Sequence, residues 1–193
     1  SLPADHPEAP TLAPEPEERR RSFLIPERDA FIGRQAELAA LAELLEGARL
    51  ISILGAGGIG KTRLVQHFGA QALPAWPGGV WFCDLSDVVD LAGIVRSIGQ
   101  ALGVSVGGAD PVARLASILA ARGRCLVILD NFEQVAHLAH GSLDRWLDRA
   151  HAAAFVVTTR EVLGLAGEQV MHLDPLPPED SSALFLALSL IHI

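Results

Sequence analysis

Eight consecutive residues, Gly55-Ala56-Gly57-Gly58-Ile59-Gly60-Lys61-Thr62, have the types and spacing of a phosphate-binding loop. The glycines let the backbone curl until successive N–H groups point inward at oxygen atoms. Lys61 supplies a point charge suited to the β- and γ-phosphates of a nucleotide, and the Thr62 hydroxyl is an oxygen ligand for Mg2+. The surroundings have the order this chemistry requires. The apolar run Leu50-Ile51-Ser52-Ile53-Leu54 precedes the loop and a helical stretch follows it, so a helix N-terminus adds its dipole at the same spot. A dinucleotide fingerprint has no role for the lysine or the threonine and is disfavoured.

Two further strand-like runs end in charged residues. Cys125-Leu126-Val127-Ile128-Leu129 ends in Asp130, which places a carboxylate at the same sheet edge as the loop, where it can hold a Mg2+-bound water. Taken alone, an aspartate after a strand is equally a turn residue or a helix cap. Glu133, the nearest second carboxylate, either orients and deprotonates an attacking water or caps a helix. Asn131 can position a water through its amide but cannot act as a base near neutral pH. Phe155-Val156-Val157-Thr158-Thr159 ends in Arg160, which either senses a γ-phosphate or pairs with Glu161 or a loop acid. Thr158 and Thr159 bind the nucleophilic water or satisfy loop backbone groups.

The elements that must position these groups alternate along the chain. Helices are expected at about 35–46, from the loop to about 73, at about 88–102 and 111–121, and from about 178 onward. Strands are expected at about 50–54, 80–83, 125–129, 154–158 and 169–173. Apolar strands separated by helices imply an α/β fold of three layers with a mostly parallel five-stranded sheet, and ligands then sit at the strand C-terminal ends. Residues 1–24 are rich in proline and acids and end near Arg19-Arg20-Arg21, which reads as a flexible leader or interdomain linker. Residues 25–193 read as one nucleotide-binding domain. Its apolar ending, Ser189-Leu190-Ile191-His192-Ile193, suggests a helix cut in mid-course.

Bulk properties narrow the classes. The 193 residues carry 23 acidic against 15 basic groups, a formal charge of −8 that does not suit a duplex-DNA binder. There is no run long enough for a membrane helix and no signal-peptide pattern. Cys83 and Cys125 lie in apolar runs without metal or redox spacing and are expected as buried free thiols, which suits the cytoplasm. The seven histidines are scattered, with only His137 and His140 on one helical face. Trp76, Trp81 and Trp146 are irregularly spaced, which favours packing over base stacking. No G-x-S-x-G signature supports a serine hydrolase.

The segments GAGGIGKTR, LVILDNFEQV, VVTTRE and GEQVMHLDPLPPED, together with the upstream IPERDAFIGRQAELAAL, closely resemble bacterial signal-transduction ATPases with numerous domains, the STAND class. The likeness is to the AP-ATPase or NB-ARC-type domain of LuxR-like and AfsR-like regulators, over about residues 25–188. The resemblance implies a sheet order of 5-1-4-3-2, with the Arg160 strand between the loop strand and the Asp130 strand. It implies that Phe31, Ile32, Gly33 and Arg34 pack against adenine, and that the loop with Arg63 holds ATP or ADP. Arg160 would then be the sensor of the γ-phosphate, Lys61, Asp130, Glu133 and Arg160 the catalytic set, and Thr62 and Asp130 the Mg2+ residues. The implied function is a slow Mg2+-dependent ATPase switch in signal transduction or transcriptional regulation, with a nucleotide-stabilised interaction module as the alternative. Its partners would be further C-terminal domains of the same protein and, in ATP, other copies of it. Asn131 stands where many plant-resistance and apoptotic relatives carry aspartate, and the family's GxP motif and winged helix are not within the sequence.

Overall fold

Five short runs in which apolar side chains point both ways become the five strands of a central sheet. The computed structural model describes residues 33–175, with strands β1 (Leu50–Leu54), β2 (Val80–Asp84), β3 (Leu126–Asp130), β4 (Ala154–Thr159) and β5 (Glu168–His172). Their order is β2-β3-β4-β1-β5 and each neighbouring pair is parallel. This is the 5-1-4-3-2 order that the resemblance implied.

The helices are α1 (Gln35–Gly47), α2 (Lys61–Ala72), α3 (Leu91–Ala101), α4 (Pro111–Arg122) and α5 (Ala139–Arg149). Alternate strand residues feed two separate cores, as a pleated sheet covered on both faces requires. Ile51, Ile53, Leu126, Ile128 and Val156 pack with Leu38 and Leu41 of α1 and Leu64, Val65 and Phe68 of α2. Leu50, Val127, Leu129, Phe155 and Val157 pack on the other face with Ile94, Leu115, Leu143 and Trp146 from α3, α4 and α5. The result is a three-layer sandwich.

Local chemistry sets the element ends. The predicted helix at about 88–102 begins at Leu91 because Asp90 caps it, its Oδ1 accepting the Gly93 N–H at 2.7 Å. Asp110 caps α4 in the same way through Ala113 N–H at 3.0 Å, followed by Pro111 in the first turn. The helix after the loop ends at Ala72 and tightens into a 3-10 turn, Leu73–Ala75. The helix α5 had no counterpart among the elements expected from sequence. The helix expected from about 178, and the leader up to residue 24, lie outside the described residues.

Cys83 and Cys125 are free and buried, and burial pushes their thiols up to about 12 and about 11. Trp76, Trp81 and Trp146 are all buried core residues. Among the described residues no helix is long and apolar enough to cross a membrane.

Candidate phosphate and metal site

At the C-terminal edge of the sheet, β1 gives way to the loop and the loop to α2. Helices α3 and α4 have aspartate caps, whereas α2 has Gly60 at its cap position and no side-chain hydrogen bond there. The first N–H groups of a helix need acceptors, and the cap residue Gly60 has no side chain to provide one. Gly60 has φ 95°, a left-handed conformation that glycine adopts at little steric cost. A Cβ at Gly57 would lie 3.1 Å from Arg160 Nη2, so the guanidinium reaches over this part of the loop.

Lys61 is buried at 7% exposure, and its Nζ donates to the carbonyls of Gly55 at 2.7 Å and Ala56 at 3.1 Å. The ammonium is folded back on the loop that it serves, satisfied by neutral carbonyls. A phosphate oxygen would offer the same donors a charged acceptor.

Thr62 and Asp130 meet across the site, with Thr62 Oγ1 donating to Asp130 Oδ2 at 2.7 Å. The other carboxylate oxygen, Oδ1, accepts from Thr158 Oγ1 at 2.5 Å, and Thr158 accepts the Asn131 N–H at 2.9 Å. Asp130 is almost fully buried. Burial raises its pKa, the two threonine hydroxyls pull it back, and the charges of Asp84 and Glu133 raise it further. A buried, proton-hungry carboxylate beside a threonine hydroxyl fits Mg2+, a hard cation that takes oxygen ligands. No group of three His, Cys, Asp or Glu side chains is placed to hold a metal among the described residues.

Asp84 was not singled out in the sequence. It ends β2 in register with Asp130 on β3. Asn131, left-handed at φ 60°, bridges the two, its Nδ2 donating to Asp84 Oδ1 at 3.0 Å and to Asp130 Oδ2 at 3.3 Å. Burial, the largest influence on Asp84, raises its pKa, but hydrogen bonds from Asn131 and Ser86 together leave it lowered. Both amide hydrogens of Asn131 are therefore engaged with carboxylates rather than directed at a water.

Arg160 follows β4, whose last residue, Thr159, is in register with Leu54 of the loop strand. Its Nε lies 3.2 Å from Glu133 Oε1. The pairing with a loop acid and a position over the phosphate loop thus occur together. Glu133 sits in the 3-10 turn Phe132–Gln134, and its Oε2 is buried without a hydrogen-bond partner.

The remaining predicted residues divide. Arg34 is buried at 8% exposure; it donates to Glu37 Oε1 at 2.7 Å and to Ile59 O at 3.1 Å, tying α1 to the loop. Gly33 adjoins it at φ 75°. Arg63 lies half-buried in the first turn of α2. Phe31 and Ile32 lie outside the described residues. A cavity of about 480 Å³ between α1 and α2, lined by residues that include Leu38, Phe68, Trp76 and Arg124, includes no residue of the loop.

With this geometry in place, comparison with known proteins is decisive on one point. The family described as AAA ATPase domain matches residues 30–189. This chain belongs to that family. Its AAA ATPase domain is similar to an uncharacterised protein of Mycobacterium tuberculosis, Rv0894, at 33% identity over 159 residues, covering 81% of this chain and 40% of that protein. It is similar to the regulatory protein AfsR of Streptomyces coelicolor at 30% identity over 175 residues, covering 80% of this chain and 17% of AfsR. The AfsR likeness is the one the motifs pointed to. The fold is similar to that of the Aeropyrum pernix ORC2 protein, solved in ADPNP-ADP complexes, with a TM-score of 0.63 at 19% identity over 91% of this chain and 56% of that one. The chain thus spans less than half the length of the curated relatives named here. A nucleotide-binding P-loop domain of the AAA type is established by family, fold and loop together.

Proposed function

We propose that this domain binds MgATP and MgADP and hydrolyses ATP slowly, as the nucleotide-reading part of a regulatory protein. The observation that carries the reading is the convergence of four groups on one edge: the uncapped start of α2, buried Lys61, the Thr62–Asp130 pair and Arg160 beside Gly57. The loop N–H groups and Lys61 hold the phosphates. Thr62 and Asp130 hold the Mg2+ side, Asp130 through a water. An ion held there by Thr62 and Asp130 would supply charge neutralisation at the phosphates. Arg160 reads the γ-phosphate, and Glu133 receives a proton from the attacking water. Gly33, Arg34 and the segment Phe31-Ile32 hold the adenine side, with Arg63 at the first turn of α2.

AfsR is a regulatory protein, and the relationship supports a switch: exchange of ADP for ATP alters how the domain meets further domains of its own chain and other copies of itself. Residues 1–24 act as a linker into this domain, and the domain works with a winged-helix region beyond it.

One observation favours a second reading, a nucleotide-stabilised interaction module with no useful turnover. Glu133 is engaged at Oε1 by Arg160, and Asn131 by two carboxylates, so both water-handling groups are partly committed. A phosphate-release assay with and without Mg2+ separates the readings. Release that requires Mg2+ and disappears in Glu133→Gln supports the ATPase. Nucleotide binding without release, in this chain and in a longer one, supports the module.

A further inference from the structure

The chain leaving β4 carries Arg160 and returns to begin β5 at Glu168, and this connection is held by hydrogen bonds at residues 161 and 163–165. Glu168 Oε1 accepts the Leu163 N–H at 3.0 Å, while Oε2 accepts those of Gly164 at 2.8 Å and Leu165 at 3.3 Å. The Glu168 N–H in turn donates to Leu165 O at 3.1 Å. Three successive N–H groups converging on an anion form a nest, usually filled by a ligand. Here the chain supplies the anion from its own next strand.

The residues nearer Arg160 are held as well. Thr159, fully buried, donates from Oγ1 to Glu161 O at 3.1 Å and accepts the Glu161 N–H at 3.3 Å. Leu163 and Leu165 sink into the core beside Trp146 and Phe155. Arg160 itself is long and 64% exposed at its side chain. Its reach over Gly57 therefore depends on the direction in which the backbone launches it.

We infer that Glu168 is a positioning residue for nucleotide discrimination: by gathering the N–H groups of residues 163–165 it fixes the backbone from which Arg160 reaches the phosphate loop. It thereby sets the preference of the site for a triphosphate over a diphosphate. This rests on the reading of Arg160 given above. Glutamine at 168 keeps one acceptor oxygen but replaces the other with an amide donor, which cannot receive N–H groups.

The test is the ratio of ATP to ADP affinity with Mg2+, measured by calorimetry beside thermal melting. The proteins are the 193-residue chain, Glu168→Gln, Glu168→Ala, Arg160→Ala, the Arg160→Ala/Glu168→Gln double variant, and Leu119→Ala as a control in the core under α4. Glu168→Gln lowers the ratio toward that of Arg160→Ala, by roughly 10- to 100-fold at most, the factor of one charge-assisted contact. Leu119→Ala lowers the melting temperature and leaves the ratio unmoved. In the Arg160→Ala background Glu168→Gln changes the ratio no further. A ratio that falls in Arg160→Ala but not in Glu168→Gln or Glu168→Ala overturns this inference alone. A ratio unchanged in Arg160→Ala overturns the reading of Arg160 and this inference with it.

Discussion

Glu133 and Arg160 form an ion pair, Oε1 to Nε at 3.2 Å, which joins the carboxylate proposed to handle a water to the cation proposed to read a γ-phosphate. Arg160 is largely exposed, and such a pair is worth only about 0.2–1 kcal/mol. Hydrogen bonds between charged groups and phosphate-like acceptors are worth about 1.5–3 kcal/mol. On the proposed reading, a bound triphosphate takes Arg160 from this pair and frees Glu133.

Glu133→Gln tests that exchange. The variant keeps the shape of the side chain but loses the base and weakens the hold on Arg160. MgATP affinity is expected to stay the same or tighten, while phosphate release falls by at least about 100-fold, within the range for general-base loss. Calorimetry and a single-turnover assay read the two effects separately.

Asp130 gives a pH-dependent prediction. Its folded pKa is raised, chiefly by burial, so the folded chain binds its proton more tightly than the unfolded chain. The stabilising effect of that proton is complete below the ordinary carboxylate pKa and is lost as pH rises through the raised value. In the absence of nucleotide and Mg2+, Asp130→Asn should therefore melt higher than the parent chain at neutral pH. The gap closes as pH falls through the carboxylate range. Mg2+-dependent nucleotide binding is lost in the variant at every pH, and in the parent chain it weakens on acidification.

Asn131→Asp places a third carboxylate between Asp84 and Asp130 and removes the amide that bridges them. Aspartate tolerates the left-handed backbone at this position, so the effect is electrostatic rather than steric. Stability without metal should fall by about 1–3 kcal/mol, the cost of unpaired buried polar groups. Mg2+ should recover part of it. Thermal melts with Mg2+ and with EDTA give the comparison.

Trp146→Ala probes the scaffold away from the phosphates. The indole is fully buried, stacks on Phe155 with ring centroids 6.1 Å apart and donates to Val112 O at 3.2 Å. Its removal should cost about 3–5 kcal/mol in urea unfolding.

Much of this was legible because apolar runs with both faces buried announce themselves. In β1, β3 and β4 every residue is buried, and β3 and β4 end in Asp130 and Thr159 at the edge where β1 gives way to the glycine loop. The helix α5, Ala139–Arg149, was not legible as an element: its buried large residues are Leu143, Trp146 and Leu147 amid glycine, serine and charged positions. Two 3-10 turns before it, Phe132–Gln134 and Ala136–Leu138, blur the periodicity further. Asp84 offered a signal, since it ends the run Val80-Trp81-Phe82-Cys83 as Asp130 ends its own. Its significance needed the sheet register and the left-handed Asn131, neither of which local pattern supplies. The Glu133–Arg160 pair joins residues from two strand ends, and only the placement of β3 beside β4 brings them together.

The claim on which everything else depends is that the loop from Gly55 to Thr62 holds a polyphosphate against Lys61. The direct measurement is calorimetric titration of MgATP and MgADP into the chain and into Lys61→Ala, with circular dichroism to confirm that both fold alike. Deleting one charge-assisted contact of about 1.5–3 kcal/mol corresponds to a loss of roughly 10- to 100-fold in affinity for both nucleotides. Equal affinity in the parent chain and a folded Lys61→Ala would contradict the account.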